Sequence, residues 1–419
     1  MPNAKSQRLL YSAVVSSDRH RRQPIHTVYG GAHLFKADTA ARLGTTALRV
    51  MQEHAPDSAA LAAVLGLTPE IAARVHARVI EKLRREPVED FRLDFEDGYG
   101  NRPDDEEDGH AESAAVEVAT SGQRGRLPPF VGIRIKNLGP EVRERALRTT
   151  HVFLERLLRE TGGQLPQNFV VTLPKITHSS QVGILADAFA KVETAHHLAT
   201  GTLRMELMVE TPQSIFDQHG AVALPALVKE GGGRVTAAHF GTYDYTASLG
   251  ITASHQHMRH PACDFARSVM QVALAGTDVW LSDGATNVLP IGGDRATIHR
   301  AWRLHYDDIR HSLTNAFYQG WDLHPAQLVT RYAAVYAFFL ESLDAASERL
   351  LTFIAKAGQA TLVGEVFDDA ATGQGLLNFF LRALNCGAVR EEEIGSLTGL
   401  TLDELRSGSF VKIVEERRA

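Results

Sequence analysis

Charged side chains recur at the ends of the apolar, alternating runs of this sequence. FRLDFEDG (91–98) closes on Glu96 and Asp97, FVGIRIK (130–136) carries Arg134 and Lys136, and FVVTLPK (169–175) ends in Lys175. LRMELMVE (203–210) ends in Glu210, Asp244 follows RVTAAHFG (234–241), and Asp283 lies in DVWLSDG (278–284). One such group would mean little, but carboxylates, a guanidinium and an amine gathered at one end of neighbouring strands would form an acid–base or ion-binding site. Lys175 could alternatively act as a Schiff-base nucleophile. HQHMRHPAC (255–263) offers three histidines and Cys263 at ligand-like spacing, which raises zinc, although its position in the chain favours a loop of ordinary histidines. GGG (231–233) lacks the strand–turn–helix setting of a dinucleotide fingerprint and reads as a linker.

The elements that must position these groups follow from the same runs. In 91–96 the apolar Phe91, Leu93 and Phe95 alternate with Arg92, Asp94 and Glu96, the two-residue period of a strand with unlike faces. Glu206, Met208 and Glu210 likewise oppose Met205, Leu207 and Val209. An open parallel sheet meets helices on both faces and should be apolar on both. A barrel strand instead turns one face to a lumen, where opposite charges can compensate, so Arg92 and Glu206 read at least as readily as buried structural ion pairs. Helical stretches separate the runs. One is TPEIAARVHARVIEKLRRE (68–86), with Thr68 as N-cap and Pro69 in the first turn; another is EVRERALRTTHVFLERLLRE (141–160). With IHTVYGG (25–31) as the first strand and a weaker run near GWDLH (320–324) as the last, eight strand–helix units over about 300 residues predict a (β/α)8 TIM barrel. After residue 330 the pattern turns wholly helical, which predicts a catalytic barrel over 1–330 and a C-terminal helical lid and tail over 331–419. The acidic run at 104–108 reads as a solvated loop.

The composition sets limits. A chain of 419 residues, 44% hydrophobic and 22% charged, can bury a large core. A net charge of −6 gives no electrostatic reason to expect nucleic acid. The first residues lack the apolar run of a signal peptide, and no run approaches the roughly 20 apolar residues of a membrane span. Cys263 and Cys386 lie far apart, so a disulfide framework is not expected. These features predict a soluble cytoplasmic protein without a membrane partner.

Seven segments, taken in order, resemble the HpcH/HpaI aldolase and citrate lyase β-subunit family of phosphoenolpyruvate/pyruvate-type barrels. They are VYGGAHLFKA (28–37), LDFEDG (93–98), IRIKN (133–137), LPK (173–175), VETP (209–212), FGTYDYTASLG (240–250) and LHPAQL (323–328). The resemblance covers residues 26–330 in order. The chain departs from the pattern at Gly30, where the family has proline, in the Gly-rich LVKEGGGR, in the acidic insert and in the tail after 390.

The resemblance implies a divalent-metal-dependent carbon–carbon lyase that works through an enolate. Its substrate would be a small hydroxy- or keto-acid, free or as a coenzyme A thioester. By position, Glu210 and Asp244 match the family's ligands for Mg²⁺ or Mn²⁺. Arg134 matches the arginine that binds the substrate's carboxylate or carbonyl oxygen, with a planar fork suited to the task. Glu96 and Asp97 match the acidic pair that holds metal-bound water or orients the arginine. Thr211, Pro212, Gly241 and Thr242 fall at the matching substrate-binding positions, and the family has a lysine at Lys175 without Schiff-base chemistry. VGEVFDDAA (363–371) resembles a lid segment, with Asp368 as the matching acid and Asp369 as fallback. In relatives the lid acid reaches a neighbouring barrel, which implies a homo-oligomer, a trimer or hexamer. The competing readings are a related phosphoenolpyruvate/pyruvate-type or acyl-CoA thioesterase activity, and a non-catalytic barrel that binds ligands.

Overall fold

The computed structural model describes residues 22–355, 361–363, 366–368 and 370–418. Eight parallel strands close into a barrel in chain order: β1 (His26–Gly31), β2 (Asp90–Asp94), β3 (Phe130–Arg134), β4 (Phe169–Leu173), β5 (Arg204–Val209), β6 (Val235–Phe240), β7 (Trp280–Ala285) and β8 (Gln319–Asp322). The chain thus forms the expected TIM barrel, followed by C-terminal helices. The strands are shorter than the alternating runs. Glu96, Asp97, Lys175 and Glu210 therefore stand just beyond the hydrogen-bonded ladder, at its C-terminal end. Asp94 and Arg134 are register partners on β2 and β3, which puts their side chains next to each other at that end. Where β3 crosses β4 the backbones approach so closely that a Cβ on Gly132 would lie 2.1 Å from the Val170 carbonyl oxygen.

The two faces of β2 separate as its alternation predicts. Phe91, Leu93 and the following Phe95 are buried in the apolar layer between sheet and helices. Helix Pro69–Arg85 turns Val75, Val79 and Leu83 into the same layer, and its Thr68 hydroxyl caps the Ile71 amide. On the lumen side Arg92 donates to both Asp90 oxygens (2.6 and 3.0 Å), both Glu206 oxygens (2.5 and 2.9 Å) and the Thr172 hydroxyl (3.0 Å). All four residues are buried. Arg92 and Glu206 are thus a structural ion pair across the lumen.

Three features of the outer layer depart from the sequence reading. Residues 104–108 are not a loop but the first turn of helix Asp104–Gln123, where acidic side chains oppose the positive end of the helix dipole. Glu107 in that turn is fully buried and ion-pairs with Lys136 at 2.7 Å, while Asp108 pairs with Arg145 and Arg148. Lys136 accordingly points between sheet and helix, away from the mouth. Asp283 also faces outward: it accepts from Arg267 (3.0 Å) and Ser312 (2.6 Å) on helices Pro261–Leu274 and Arg295–Thr314. The strand register shifts between Ser282 and Ala285, and this irregularity breaks the simple alternation.

The expected division after residue 330 falls inside helix Gln327–Glu341, the eighth helix of the outer layer, which packs between helices Pro69–Arg85 and Arg295–Thr314. The following helices root at the N-terminal end of the barrel. Arg382 lies 3.8 Å over the ring of Tyr318, which precedes β8, and 3.4 Å from Gln23, which precedes β1. Arg78 and Glu81, near the C-terminal end of helix Pro69–Arg85, pair with Glu393 and Arg390. Among the described residues no single helix is long and apolar enough to cross a membrane.

Removing one member of a buried pair leaves the other uncompensated. Glu107→Ala should therefore cost about 3–5 kcal/mol of stability. Urea unfolding that places the variant within experimental error of the parent would show that Lys136 and Arg145 find other partners.

Candidate functional site

The site is built on the ends of β2 to β6. Arg134, at the end of β3, is buried and donates from Nε and Nη2 to the two oxygens of Asp94 (2.7 and 2.5 Å). Asp94 is in turn fixed by the amides of Glu96 (2.9 Å) and Gly98 (2.7 Å). The planar fork therefore grips a protein carboxylate. Nη1 is left at the edge, 3.5 Å from both Glu96 and Asp97. Beneath the guanidinium lie the rings of Tyr29 (5.0 Å) and Trp321 (5.9 Å), which are themselves 4.5 Å apart. These two aromatics plug the lumen and give the site a floor. The Trp321 indole N–H is buried without a hydrogen-bond partner.

Lys175 stands at the centre of the acids. Its ammonium donates to Glu96 (2.6 Å) and to both oxygens of Asp97 (3.0 Å each), and lies 3.4 Å from Asp244. Its backbone amide donates to Glu210 at 2.7 Å. This arrangement requires the left-handed region, φ 49°, which a non-glycine residue occupies at a cost of about 1 kcal/mol. Glu210 is buried at the end of β5, and Asp244 is half exposed in the first turn after β6. A Cβ at residue 241 would lie 2.5 Å from the Glu210 side chain, so glycine is what allows β6 to turn past that carboxylate.

Four carboxylates facing one ammonium leave an excess of negative charge, and the proton affinities show it. Burial pushes the Glu210 carboxyl up to about 8; Lys175 and Arg134 pull it down and Asp244 adds to the rise. Burial and hydrogen bonding with Asp97 push Glu96 up to about 7. Burial would also raise Asp97, but its hydrogen bond with Glu96 and the charges of Arg134 and Lys175 outweigh that and lower it. Glu96 is therefore the member of the pair with the higher proton affinity. Burial alone would lower the Lys175 amine, but Glu210, Glu96 and Asp97 overcome this and raise it, so the amine stays protonated. A protonated amine has no lone pair for a Schiff base.

The structure brings together Glu96, Asp97, Arg134, Glu210 and Asp244 from the sequence reading. The other expected substrate contacts also make bonds within the protein. Thr211 donates to the Ile176 carbonyl and caps the short helix Pro212–Ile215, which begins at Pro212. Thr242 is buried against the Met258 sulfur at 3.0 Å. Asp368 ends a short strand, Val366–Asp368, antiparallel to Thr361–Val363. Asp369 lies outside the described residues. The histidine-rich run is structural as well: the His260 ring accepts from the Ala262 amide at 3.1 Å, and Cys263 is buried. Sequence reading missed Asp94 as the partner of Arg134, the Tyr29–Trp321 floor, and the central place of Lys175. The lumen-facing phase of 92–96 was the available signal for Asp94; nothing local marks Trp321.

Among the described residues no three His, Cys, Asp or Glu side chains are already drawn together as a metal shell, because the carboxylates spread around the ammonium. The donor set still suits a hard divalent cation: all oxygens, with Glu210 and Asp244 on the adjacent ends of β5 and β6 and the buried Glu210 carboxylate held by a single amide. Lys175 alone does not balance their charge.

The family model for Domain of unknown function (DUF6986) matches residues 5–413. The chain belongs to that family. No curated protein sequence matches it. Among solved structures it is similar to a citrate lyase from Burkholderia xenovorans LB400, at 19% identity and a TM-score of 0.59, over 90% of this chain and 96% of that one. A malate synthase from Haloferax volcanii matches at 15% identity and a TM-score of 0.48, over 92% and 97% of the two chains. At such identities the likeness to the citrate lyase is one of fold.

The raised carboxyls fix the sign of a pH dependence. Glu96 and Glu210 hold protons in the folded protein well above 4.5, their ordinary value. Between that value and about 8 the folded state binds more protons than the unfolded chain, so their contribution to stability falls as pH rises. In EDTA, Glu210→Gln should therefore gain melting temperature over the parent as pH rises from about 5 to about 8.5. A constant difference across that range would mean that Glu210 is ionised throughout.

Proposed function

We propose that this protein is a divalent-metal-dependent carbon–carbon lyase acting through an enolate on a small hydroxy- or keto-acid or its coenzyme A thioester. The observation that carries the reading is the convergence of four carboxylates at the barrel mouth with a locked arginine beside them. The likeness of fold to a citrate lyase supports it. Glu210 and Asp244 would hold Mg²⁺ or Mn²⁺, and such an ion stabilises an oxyanion as it develops on the substrate. Arg134 Nη1 and the unpartnered Trp321 indole N–H would be the donors that meet the substrate's carboxylate. Asp94 holds the guanidinium in one orientation, so no reorganisation is needed as charge develops. Burial and Asp97 raise Glu96 to about 7, near neutral pH, where a carboxyl can both give and accept a proton during bond cleavage. The Tyr29–Trp321 floor closes the lumen beneath and limits the depth available to substrate.

We further propose a division into a catalytic barrel and a C-terminal lid that acts between subunits of a trimer or hexamer. The appendage roots at the end of the barrel opposite the mouth. Asp368 would then serve a neighbouring barrel, where a lid excludes water and adds a carboxylate.

Glu210→Gln and Asp244→Asn should each abolish Mn²⁺ binding, measured by electron paramagnetic resonance, and turnover of a hydroxyacyl-CoA and 4-hydroxy-2-keto-acid panel, while circular dichroism stays unchanged. Full activity of the parent in excess EDTA would end the metal reading. Mixed oligomers of Asp368→Asn and Arg134→Ala subunits, each inactive alone, should recover part of the activity. No recovery in verified mixtures would rule out the shared site.

A further inference from the structure

Lys175 touches every acid of the proposed cation site. Its ammonium reaches Glu96 at 2.6 Å, both Asp97 oxygens at 3.0 Å and Asp244 at 3.4 Å, and its amide binds Glu210 at 2.7 Å. An ammonium has three N–H donors and no acceptor, and the three contacts to Glu96 and Asp97 use them all. Asp244 is held by charge alone, at the longest distance. The ammonium therefore links the two acidic pairs, Glu96–Asp97 from the end of β2 and Glu210–Asp244 from the ends of β5 and β6.

We propose that Lys175 is the internal counter-ion of this site: its ammonium holds the carboxylates together before the cation arrives, and it withdraws from Asp244 towards Glu96 and Asp97 as the cation enters. The inference rests on the metal reading given above. Two like charges cannot share one carboxylate face without strong repulsion. The cation takes Glu210 and Asp244, the members that Lys175 holds by an amide and by a long contact. Glu96 and Asp97 keep the ammonium, because they supply its short hydrogen bonds. The device has two opposite consequences. Lys175 stabilises the metal-free protein by offsetting the repulsion among four acids. It also weakens cation binding, because each cation must displace it.

The test compares the parent with Lys175→Met and Lys175→Arg in two measurements: Mn²⁺ binding followed by the electron paramagnetic resonance of free Mn²⁺, and melting temperature in EDTA. Lys175→Met should bind Mn²⁺ about tenfold more tightly, the scale on which partners of metal ligands alter affinity. The same variant should melt lower than the parent in EDTA and regain the difference in saturating Mn²⁺. Lys175→Arg keeps the charge and should stay near the parent in both. If Lys175→Met does not fold, Lys175→Gln, which keeps a polar end without the charge, carries the comparison. A parent that binds Mn²⁺ while the neutral variants bind it equally or more weakly overturns the counter-ion role and leaves the metal reading standing. A parent that binds no Mn²⁺ overturns both.

Discussion

The mouth of this barrel is dominated by repulsion among four carboxylates that one lysine cannot neutralise. Glu96, Asp97, Glu210 and Asp244 reach it from three different strand ends, and Lys175 meets them all. Such an arrangement is unstable unless protons, an ammonium or an external cation balance it. The raised proton affinity of Glu210 and Glu96 is the protein's response at neutral pH. The strained backbone at Lys175 and the glycine at 241 are local consequences, since both bring the chain closer to Glu210 than an ordinary turn would.

The lumen one layer below shows the opposite condition. Arg92 divides its donors between Asp90 and Glu206, and Thr172 completes the set. Burial would raise the Glu206 carboxyl, yet Arg92 and His239 hold it well below the usual carboxylate range. Arg134 and Asp94 form a second pair above it, which leaves Arg134 Nη1 at the edge of the site. Each carboxylate of the Arg92 layer has guanidinium donors, although burial and Glu206 still raise Asp90, whereas the acids at the C-terminal end of the barrel share one lysine. This contrast separates the structural ion pairs from the candidate site, although all of them occupy the same charged faces of the strands.

Much of this was legible in the sequence because it depends on local period. The alternation of Phe91, Leu93 and Phe95 with Arg92, Asp94 and Glu96 identified a two-faced strand, and its repetition identified the barrel. What depends on distant pairing was not legible. The acids at 104–108 look like a solvated loop because Asp104, Asp105 and Glu106 lie in the open, while Glu107 is buried against a lysine and the half-buried Asp108 meets two arginines, all on other elements. Asp283 shares the spacing of the site residues, but a register shift in β7 turns it towards Arg267 and Ser312. Asp94 reads as one more lumen charge until its register partner is known to be Arg134. Trp321 comes from the last strand and meets Tyr29 from the first, a contact made only by closing the barrel.

The central claim is that the charge imbalance at the mouth belongs to a divalent cation. Crystals soaked in Mn²⁺ and oxalate, with diffraction recorded at the manganese absorption edge, test it directly. The account predicts one strong anomalous peak between the carboxylates of Glu210 and Asp244, with the Lys175 ammonium drawn back to Glu96 and Asp97. No peak at the mouth, or a peak elsewhere with Lys175 still against Asp244, would contradict it.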